Sequence, residues 1–210
     1  MPRLIALTGF PRSGKDTLAD EFVSREGFVK VAIAEPLYRE VSDAFQVPVA
    51  DLQSHDWKTR PHKALSALHC QNRDFRELVT RELGLYEDEP MTSRFVLQKW
   101  GTEFRRKRMG RDYWTSKMIG TLRGLDGKEV IVPDMREDHE ALMAYWMVNR
   151  GWYGSVKILQ VRKLDAVSTR HSSDEGLSKF VIDGYVDNEG TVEELYNNAV
   201  LALEKARGKR

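Results

Sequence analysis

The stretch that most constrains this chain is Gly9-Phe10-Pro11-Arg12-Ser13-Gly14-Lys15-Asp16-Thr17. It lies between the apolar run Leu4-Ile5-Ala6-Leu7-Thr8 and the amphipathic segment Leu18 to Val23. A strand, a glycine turn and a helix in that order are the context required by the pattern G-x-x-x-x-G-K-S/T. Glycines let the backbone curl so that successive N–H groups point inward, and the new helix adds its positive end. Such a turn holds phosphate, which makes Gly9, Arg12, Ser13, Gly14, Lys15, Asp16 and Thr17 the phosphate-side residues. Lys15 reaches the β- and γ-phosphates as a mobile point charge.

One position departs from the pattern. Asp16 stands where Ser or Thr would ligate magnesium, and the hydroxyl comes one residue later, at Thr17. A carboxylate beside a triphosphate is repelled unless a divalent cation stands between them. Asp16 therefore either helps to hold magnesium, with Thr17 as a neutral ligand, or accepts a proton from an incoming acceptor. A third reading gives it only the dipole stabilisation of a helix N-terminus, worth ~0.3–1 kcal/mol.

Along the chain, Arg3 to Thr8 reads as a strand, followed by the loop and a helix to about Arg25 that Gly27 ends. Val29 to Ala34 reads as a second strand, completing a βαβ unit. Pro36 suits a helix first turn, and Leu37 to Phe45 carries that helix. From Val47 to Pro90 the pattern weakens, and only Asp74 to Leu83 has clear helical periodicity. Two firmer helices follow, from about Ser93 to Lys107 and from Arg111 to Leu122, then a turn at residues 124–127. Glu129 to Val132 is an apolar strand of the buried parallel type. Glu137 to Asn149 is helical, Val156 to Val161 is a strand, and Thr191 to Ala206 is a closing helix with Thr191 as cap and Glu194 at its third position. The alternation predicts an α/β fold with a central parallel sheet, and the glycine loop marks it as a three-layer P-loop fold. The whole of 1–210 reads as one such domain, with a helical acceptor-binding insertion over about 36–124 and a small lid over about 163–178.

Ligands bind such sheets at the carboxyl ends of the strands. Three segments fall on that edge: the glycine loop, Ala34-Glu35-Pro36, and Asp134-Met135-Arg136. Phosphoryl transfer needs in-line positioning and cations at the developing charge. That makes Arg136, Arg162 and Arg170 catalytic candidates beside Lys15 and Asp16. The mostly polar segment Arg162 to Gly176 reads as a lid that excludes water, or as a plain solvated loop. The basic run Arg105-Arg106-Lys107-Arg108 and Arg111, beside Trp100, Tyr113 and Trp114, could grip a phosphate and stack a base. It could equally be an exposed helix end with core aromatics.

Bulk properties narrow the class further. With 210 residues, 31% charged and a net charge of +1, the chain has the composition of an ordinary globular protein rather than a dedicated nucleic-acid binder. Its one cysteine, Cys70, excludes an internal disulfide framework, and the five histidines lack zinc-ligand spacing. No apolar run approaches the ~18 residues that span a bilayer. The N-terminus enters a strand almost at once, leaving no room for a signal peptide. The expected location is cytoplasmic. Composition is compatible with a homodimer but does not specify one.

With these segments in place, the chain resembles the bacteriophage deoxynucleoside monophosphate kinases of the T-even type. The resemblance rests on six ordered motifs. They are Arg12-Ser13-Gly14-Lys15-Asp16-Thr17-Leu18-Ala19-Asp20, then Ala34-Glu35-Pro36-Leu37, then Leu97-Gln98-Lys99-Trp100-Gly101-Thr102-Glu103 with Tyr113-Trp114. The rest are Val132 to Glu140, Arg162 with His171 and Glu175-Gly176-Leu177, and Asn188-Glu189-Gly190-Thr191 leading into Glu193-Glu194-Leu195. What the resemblance implies is a nucleoside-monophosphate-kinase-like fold, ATP and magnesium, and phosphorylation of a deoxynucleoside 5′-monophosphate. It also implies that Asn188 lies near the donor adenine, and that Arg162 and His171 to Glu175 belong to the lid. Where the family commonly places a Lys after its Ala-x-Pro segment, this chain has Tyr38, with Arg39 next. Arg39 or the Arg105–Arg106 pair would then grip the acceptor phosphate.

The resulting expectation is ATP·Mg on the glycine loop and a deoxynucleoside monophosphate between it and the Trp100–Trp114 helices. Arg39, Gln98, Trp100, Arg105, Arg106, Trp114, Asp134 and Arg136 are the acceptor-binding residues, Asp16 and Thr17 the metal ligands. A second reading keeps the chemistry but transfers to a hydroxyl, as on a modified base in DNA, with Asp16 or Asp134 as base. A third is a nucleotide-binding switch or assembly protein without turnover.

Overall fold

The computed structural model describes residues 1–125, 127–164 and 177–207. It divides into two compact units, one formed by Met1–Ile33 with Met118–Arg210, the other by Ala34–Lys117.

The first unit is built on a five-stranded sheet in the order β2-β3-β1-β4-β5. Its strands are β1 (Arg3–Thr8), β2 (Val29–Lys30), β3 (Val130–Val132), β4 (Ser155–Arg162) and β5 (Gly184–Asp187). Every pairing is parallel, with Leu4 opposite both Val130 and Val156. Parallel strands are buried on both faces, which is why Leu4 to Leu7 and Val130 to Val132 are apolar without alternation. On one face Ile5, Leu7, Ile131, Leu159, Val161 and Val186 pack against two helices. These are α1 (Lys15–Glu26), through Leu18, Ala19 and Phe22, and α10 (Val192–Arg207), through Leu195, Ala199, Ala202 and Leu203. A further helix, α9 (Asp138–Asn149), packs on β4 and buries Ala141, Ala144 and Met147.

Helix ends follow their sequence signals. Gly27 closes α1 in the left-handed conformation at φ 74°. Thr191 accepts from the Glu194 N–H at 3.2 Å while its own N–H donates to the Glu194 carboxylate at 2.7 Å, the reciprocal cap expected before α10. Two strands differ from expectation. β2 is only two residues long: the Val31 N–H still reaches the Ile131 carbonyl at 2.9 Å, but the Ile33 N–H is taken by the Asp134 carboxylate at 2.8 Å, which ends the ladder. β5 was not expected at all. Gly184 lies so close to Leu159 and Ala202 that an added Cβ would stand 3.1 Å and 3.4 Å from their side chains, so the strand carries glycine where propensity asks for a branched residue.

The second unit is helical. It contains α2 (Glu35–Phe45), α3 (Val49–Gln53), α4 (His55–Thr59), two 3-10 turns (Lys63–Leu65 and Ala67–His69) and α5 (Arg73–Glu77), which runs on as a π-helical turn over Leu78–Glu82. Next come α6 (Ser93–Gln98), a π-helical run over Lys99–Arg106 and α7 (Lys107–Met109), so the expected single helix carries a wide central stretch. The first residues of α8 (Tyr113–Arg123) also belong here. Between Val47 and Pro90 the helices are short because prolines and 3-10 turns interrupt them, which removes the long periodicity that sequence reading needs. Phe45, Phe75, Trp100 and Phe104 form the aromatic centre, with Phe75 and Trp100 rings 4.6 Å apart. Cys70 is also buried in this unit, and burial pushes its thiol up to about 11. Among the described residues, no helix is long and apolar enough to cross a membrane.

One polar group organises that unit. The Glu40 carboxylate accepts from the Trp100 indole N–H at 3.0 Å, from Arg105 Nε at 2.6 Å and from the Tyr113 hydroxyl. Burial alone would raise the Glu40 carboxyl, but hydrogen bonds from Tyr113, Trp100 and Arg105 outweigh it and hold it below its ordinary value. Removing the carboxylate strands three donors, one of them charged. Glu40→Ala should lose about 2–3 kcal/mol of unfolding free energy. The gap should close as the pH falls through the acid range below the ordinary carboxylate value of 4.5, because a depressed pKa contributes stability only while the group is ionised. Paired denaturant titrations at neutral and acid pH measure both effects.

Candidate functional site

The glycine loop leaves the carboxyl end of β1, the central strand, and enters α1. Three residues in it take left-handed backbone: Gly9 at φ 137°, Arg12 at 65° and Gly14 at 98°. Glycine is required twice over. A Cβ on Gly9 would meet the Val161 carbonyl oxygen at 2.2 Å, and one on Gly14 would meet Asn188 Nδ2 at 2.3 Å. Arg12 adopts the same region without that freedom, a strain of order 1–3 kcal/mol of the kind that functional loops hold. The Lys15 ammonium donates to the carbonyls of Gly9 at 2.8 Å and Phe10 at 2.7 Å, and lies 3.4 Å from the buried Ser13 hydroxyl. A cation is therefore held directly on the loop. The loop is pinned on its other side by Asn188, which donates from Nδ2 to the Ser13 carbonyl at 2.9 Å.

Asp16 lies at the second residue of α1 with its side chain 81% exposed. It ion-pairs with Lys30 on β2 at 3.2 Å, and Lys30 also reaches Asp20 at 3.0 Å. Burial alone would lower the Lys30 ammonium, but Asp20 and Asp16 outweigh it and keep its pKa above the ordinary value. Thr17 is exposed next to Asp16. Sequence reading missed Lys30. The signal was present in the i, i+4 pair Asp16 and Asp20 on the face of α1 that turns towards β2.

Asp134 and Arg136 leave β3 beside the same strand end. The Met135 N–H donates to the Leu7 carbonyl at 3.1 Å and Asp134 holds the Ile33 amide, so this turn is tied to β1 and to the end of β2. Behind it stands Glu140, 2% exposed, accepting the Arg136 N–H at 2.7 Å and the Glu137 N–H at 3.1 Å. Sequence reading placed Glu140 at the end of the Val132 to Glu140 motif without giving it a role. Its only sign was a Glu three residues into a helix that opens on Glu137.

The cations separate into two classes. Arg162 makes a bidentate pair with Asp187 at 2.8 and 3.1 Å and lies over the Tyr185 ring, while Arg39 pairs with Glu35 and Arg105 with Glu40. Arg12 and Arg136 are exposed, and among the described residues their guanidinium groups have no ion-pair partner. Trp100 and Trp114 are 1% and 4% exposed, their indole N–H groups given to Glu40 and to the Gly101 carbonyl, so both rings sit in the core. Gln98 is half-buried, Arg106 lies in the π-helical run, and Arg170, His171 and Glu175 lie outside the described residues.

The family model for deoxynucleotide monophosphate kinase matches residues 69–199. The chain belongs to this family. The match takes in Gln98, Asp134, Arg136, Arg162 and Asn188, while the glycine loop precedes it. No curated protein matches the chain. Among solved structures it aligns with a sugar kinase from Janibacter sp. HTCC2649 at 16% identity, over 98% of this chain and 96% of that one, with a TM-score of 0.39. It also aligns with dephospho-CoA kinase from Campylobacter jejuni at 12% identity, over all of both chains, with a TM-score of 0.46. A gluconokinase from Sinorhizobium meliloti 1021 aligns at 12% identity, over 97% of this chain and 93% of that one, with a TM-score of 0.37. At these TM-scores the likenesses carry no argument about substrate.

A member of this kinase family uses ATP, usually with magnesium. The donor set fits both: a glycine turn with no room for side chains at Gly9 and Gly14, an ammonium on its rim, and an exposed carboxylate with a hydroxyl beside it. A hard cation takes one or two carboxylates together with substrate phosphates rather than a dedicated protein cage. Among the described residues there is no group of three or more His, Cys, Asp or Glu side chains that could hold a metal ion.

Glu140 gives this turn a pH signature. Burial pushes its carboxyl up to about 7, against the two amide hydrogen bonds that favour its charge, and the Asp134 and Glu137 carboxylates add to the rise. Folded protein then keeps a proton that the unfolded chain releases above 4.5, so this group's contribution to stability falls as the pH rises from 4.5 to about 7 and is level beyond. Glu140→Gln cannot titrate and its amide oxygen still accepts. It should gain on the wild type by about 3 kcal/mol across that window, read from paired melting curves at several pH values.

Proposed function

We propose that this kinase transfers the γ-phosphoryl group of ATP to the 5′-phosphate of a deoxynucleoside monophosphate, giving the diphosphate and ADP. One observation carries the reading. Among the described residues, Arg12 on the glycine loop and Arg136 on the turn after β3 have no ion-pair partner and lie on segments that leave neighbouring strands at the same sheet edge, whereas Arg39, Arg105 and Arg162 are each bound to a carboxylate. In-line transfer needs cations of that kind on the donor and acceptor phosphates.

In this proposal Gly9, Ser13, Gly14 and Lys15 receive the β- and γ-phosphates, and Asp16 with Thr17 would hold the magnesium, which supplies neutralising charge when bound. Arg12 and Arg136 neutralise the phosphoryl group in flight, and Asp134, fixed by the Ile33 amide, orients the acceptor side. An oxygen of the acceptor phosphate attacks the γ-phosphorus as the bond to the β-phosphate oxygen breaks. That oxygen is already ionised at neutral pH, so no strong base is needed. Asp16 then serves as ligand rather than base, and its pair with Lys30 keeps the carboxylate ready beside the loop. Arg162 and Arg170 remain with the segment proposed as a lid, and Asn188 with the donor side. Transfer to DNA is disfavoured by the basic run itself: Arg105 is tied to Glu40 and Arg108 to Glu82 at 2.6 Å.

Coupled ADP release should rise when one of the four common deoxynucleoside monophosphates is added and should stay at background with DNA. Lys15→Ala should lower turnover by more than about 100-fold with the fold intact. Background rates with every monophosphate would sink the proposal.

A further inference from the structure

The peptide unit between Ser13 and Gly14 is held by one side chain from the far end of the chain. Asn188 Nδ2 donates to the Ser13 carbonyl at 2.9 Å. Its own backbone N–H donates to the Arg162 carbonyl at 2.8 Å, which continues the β4–β5 pairing, and Asn198 holds the neighbouring Asp187 carbonyl at 3.1 Å. Asn188 is thus a fixed point on the turn from β5 into α10. The approach is so close that Gly14 has no space for a Cβ, with Asn188 Nδ2 at 2.3 Å and Leu195 at 3.5 Å from where one would stand.

A trans peptide places its C=O and the following N–H on opposite sides, and among the described residues there is no cis peptide. Fixing the Ser13 carbonyl towards α10 therefore turns the Gly14 N–H the other way. That N–H has no acceptor among the described residues. The next backbone N–H groups, of Lys15, Asp16 and Thr17, start α1, and a helix start leaves its first amides unsatisfied by the helix itself. A run of such amides is what an anion nest consists of.

We infer that Asn188 is a positioning residue for phosphate binding: by holding the Ser13 carbonyl outward it aims the Gly14 amide at the phosphate chain of the nucleotide. The inference rests on the reading of the loop as the ATP-phosphate site. It assigns to Asn188 a role distinct from contact with the donor base, because its side-chain amide is spent on the loop backbone. Free to flip, the Ser13–Gly14 unit would present a carbonyl oxygen to the phosphates in some conformers, exchanging attraction for repulsion.

Titration calorimetry of the full chain with inorganic tripolyphosphate and with ATP tests this. Asn188→Asp keeps the size but replaces the donor with an acceptor facing the Ser13 carbonyl. Asn188→Ala simply removes the donor. Tripolyphosphate and ATP affinities should fall together, by about tenfold for Asn188→Ala and further for Asn188→Asp, leaving the ratio between the two ligands unchanged. Melting curves of the two variants identify any that fail to fold, and the affinity ratio is read from those that do. Loss of ATP affinity with tripolyphosphate binding intact would make Asn188 a base contact and overturn the inference, as would unchanged affinity for both. If the wild type binds neither ligand, it is the phosphate-site reading of the loop that fails.

Discussion

Everything at the candidate site depends on how tightly one strand carbonyl and one side-chain amide approach the turn after β1. The Val161 carbonyl stands where a side chain on residue 9 would be, and Asn188 stands where one on residue 14 would be. The turn therefore packs as bare backbone between β4 and the start of α10. A loop that must present its amides outward can do so only if its other side is held, and here neighbouring strands and helices hold it. Placing β1 at the centre of the sheet, with β3 and β4 on its two sides, supplies those neighbours.

The second organising feature is the distribution of charge. Most cations near the sheet edge and in the helical unit are matched to carboxylates: Lys30 to Asp16 and Asp20, Arg162 to Asp187, Arg105 to Glu40. Against that background Arg12 and Arg136 are, among the described residues, arginines of the strand edge with no ion-pair partner. Exposed ion pairs contribute little stability, a median of about 0–1 kcal/mol. Their value here lies in orientation. Each matched pair removes a cation from competition for phosphate, and those of Lys30 and Arg162 also fix a helix start and a strand end. Lys30 does this for the carboxylate that replaces the usual hydroxyl.

Much of the first unit was legible in the sequence because its signals are local. The strand–glycine–helix order, the apolar strands around Ile5 and Ile131, and the reciprocal cap at Thr191 each need only a few neighbouring residues. Where the sequence was silent, long-range contacts decided. β5 rests on a glycine that fits beneath Leu159 and Ala202, and β2 stops because a side chain about one hundred residues away, Asp134, takes its next amide donor. Trp100 and Trp114 have the same composition whether they stack a base or fill a core, and only burial separates the two. Glu40 and Glu140 illustrate the limit most clearly: one polar residue in a helical pattern does not reveal that three or two donors converge on it.

Cys70 has a use that follows from its seclusion. It is the only thiol in 210 residues, it lies at 2% exposure in the helical unit, and its raised pKa keeps it protonated near neutrality. Thiolate is the species that alkylating reagents attack, so the native thiol is silent on two counts. Its modification rate becomes a clock for local opening of Ala34–Lys117, reported without any added label.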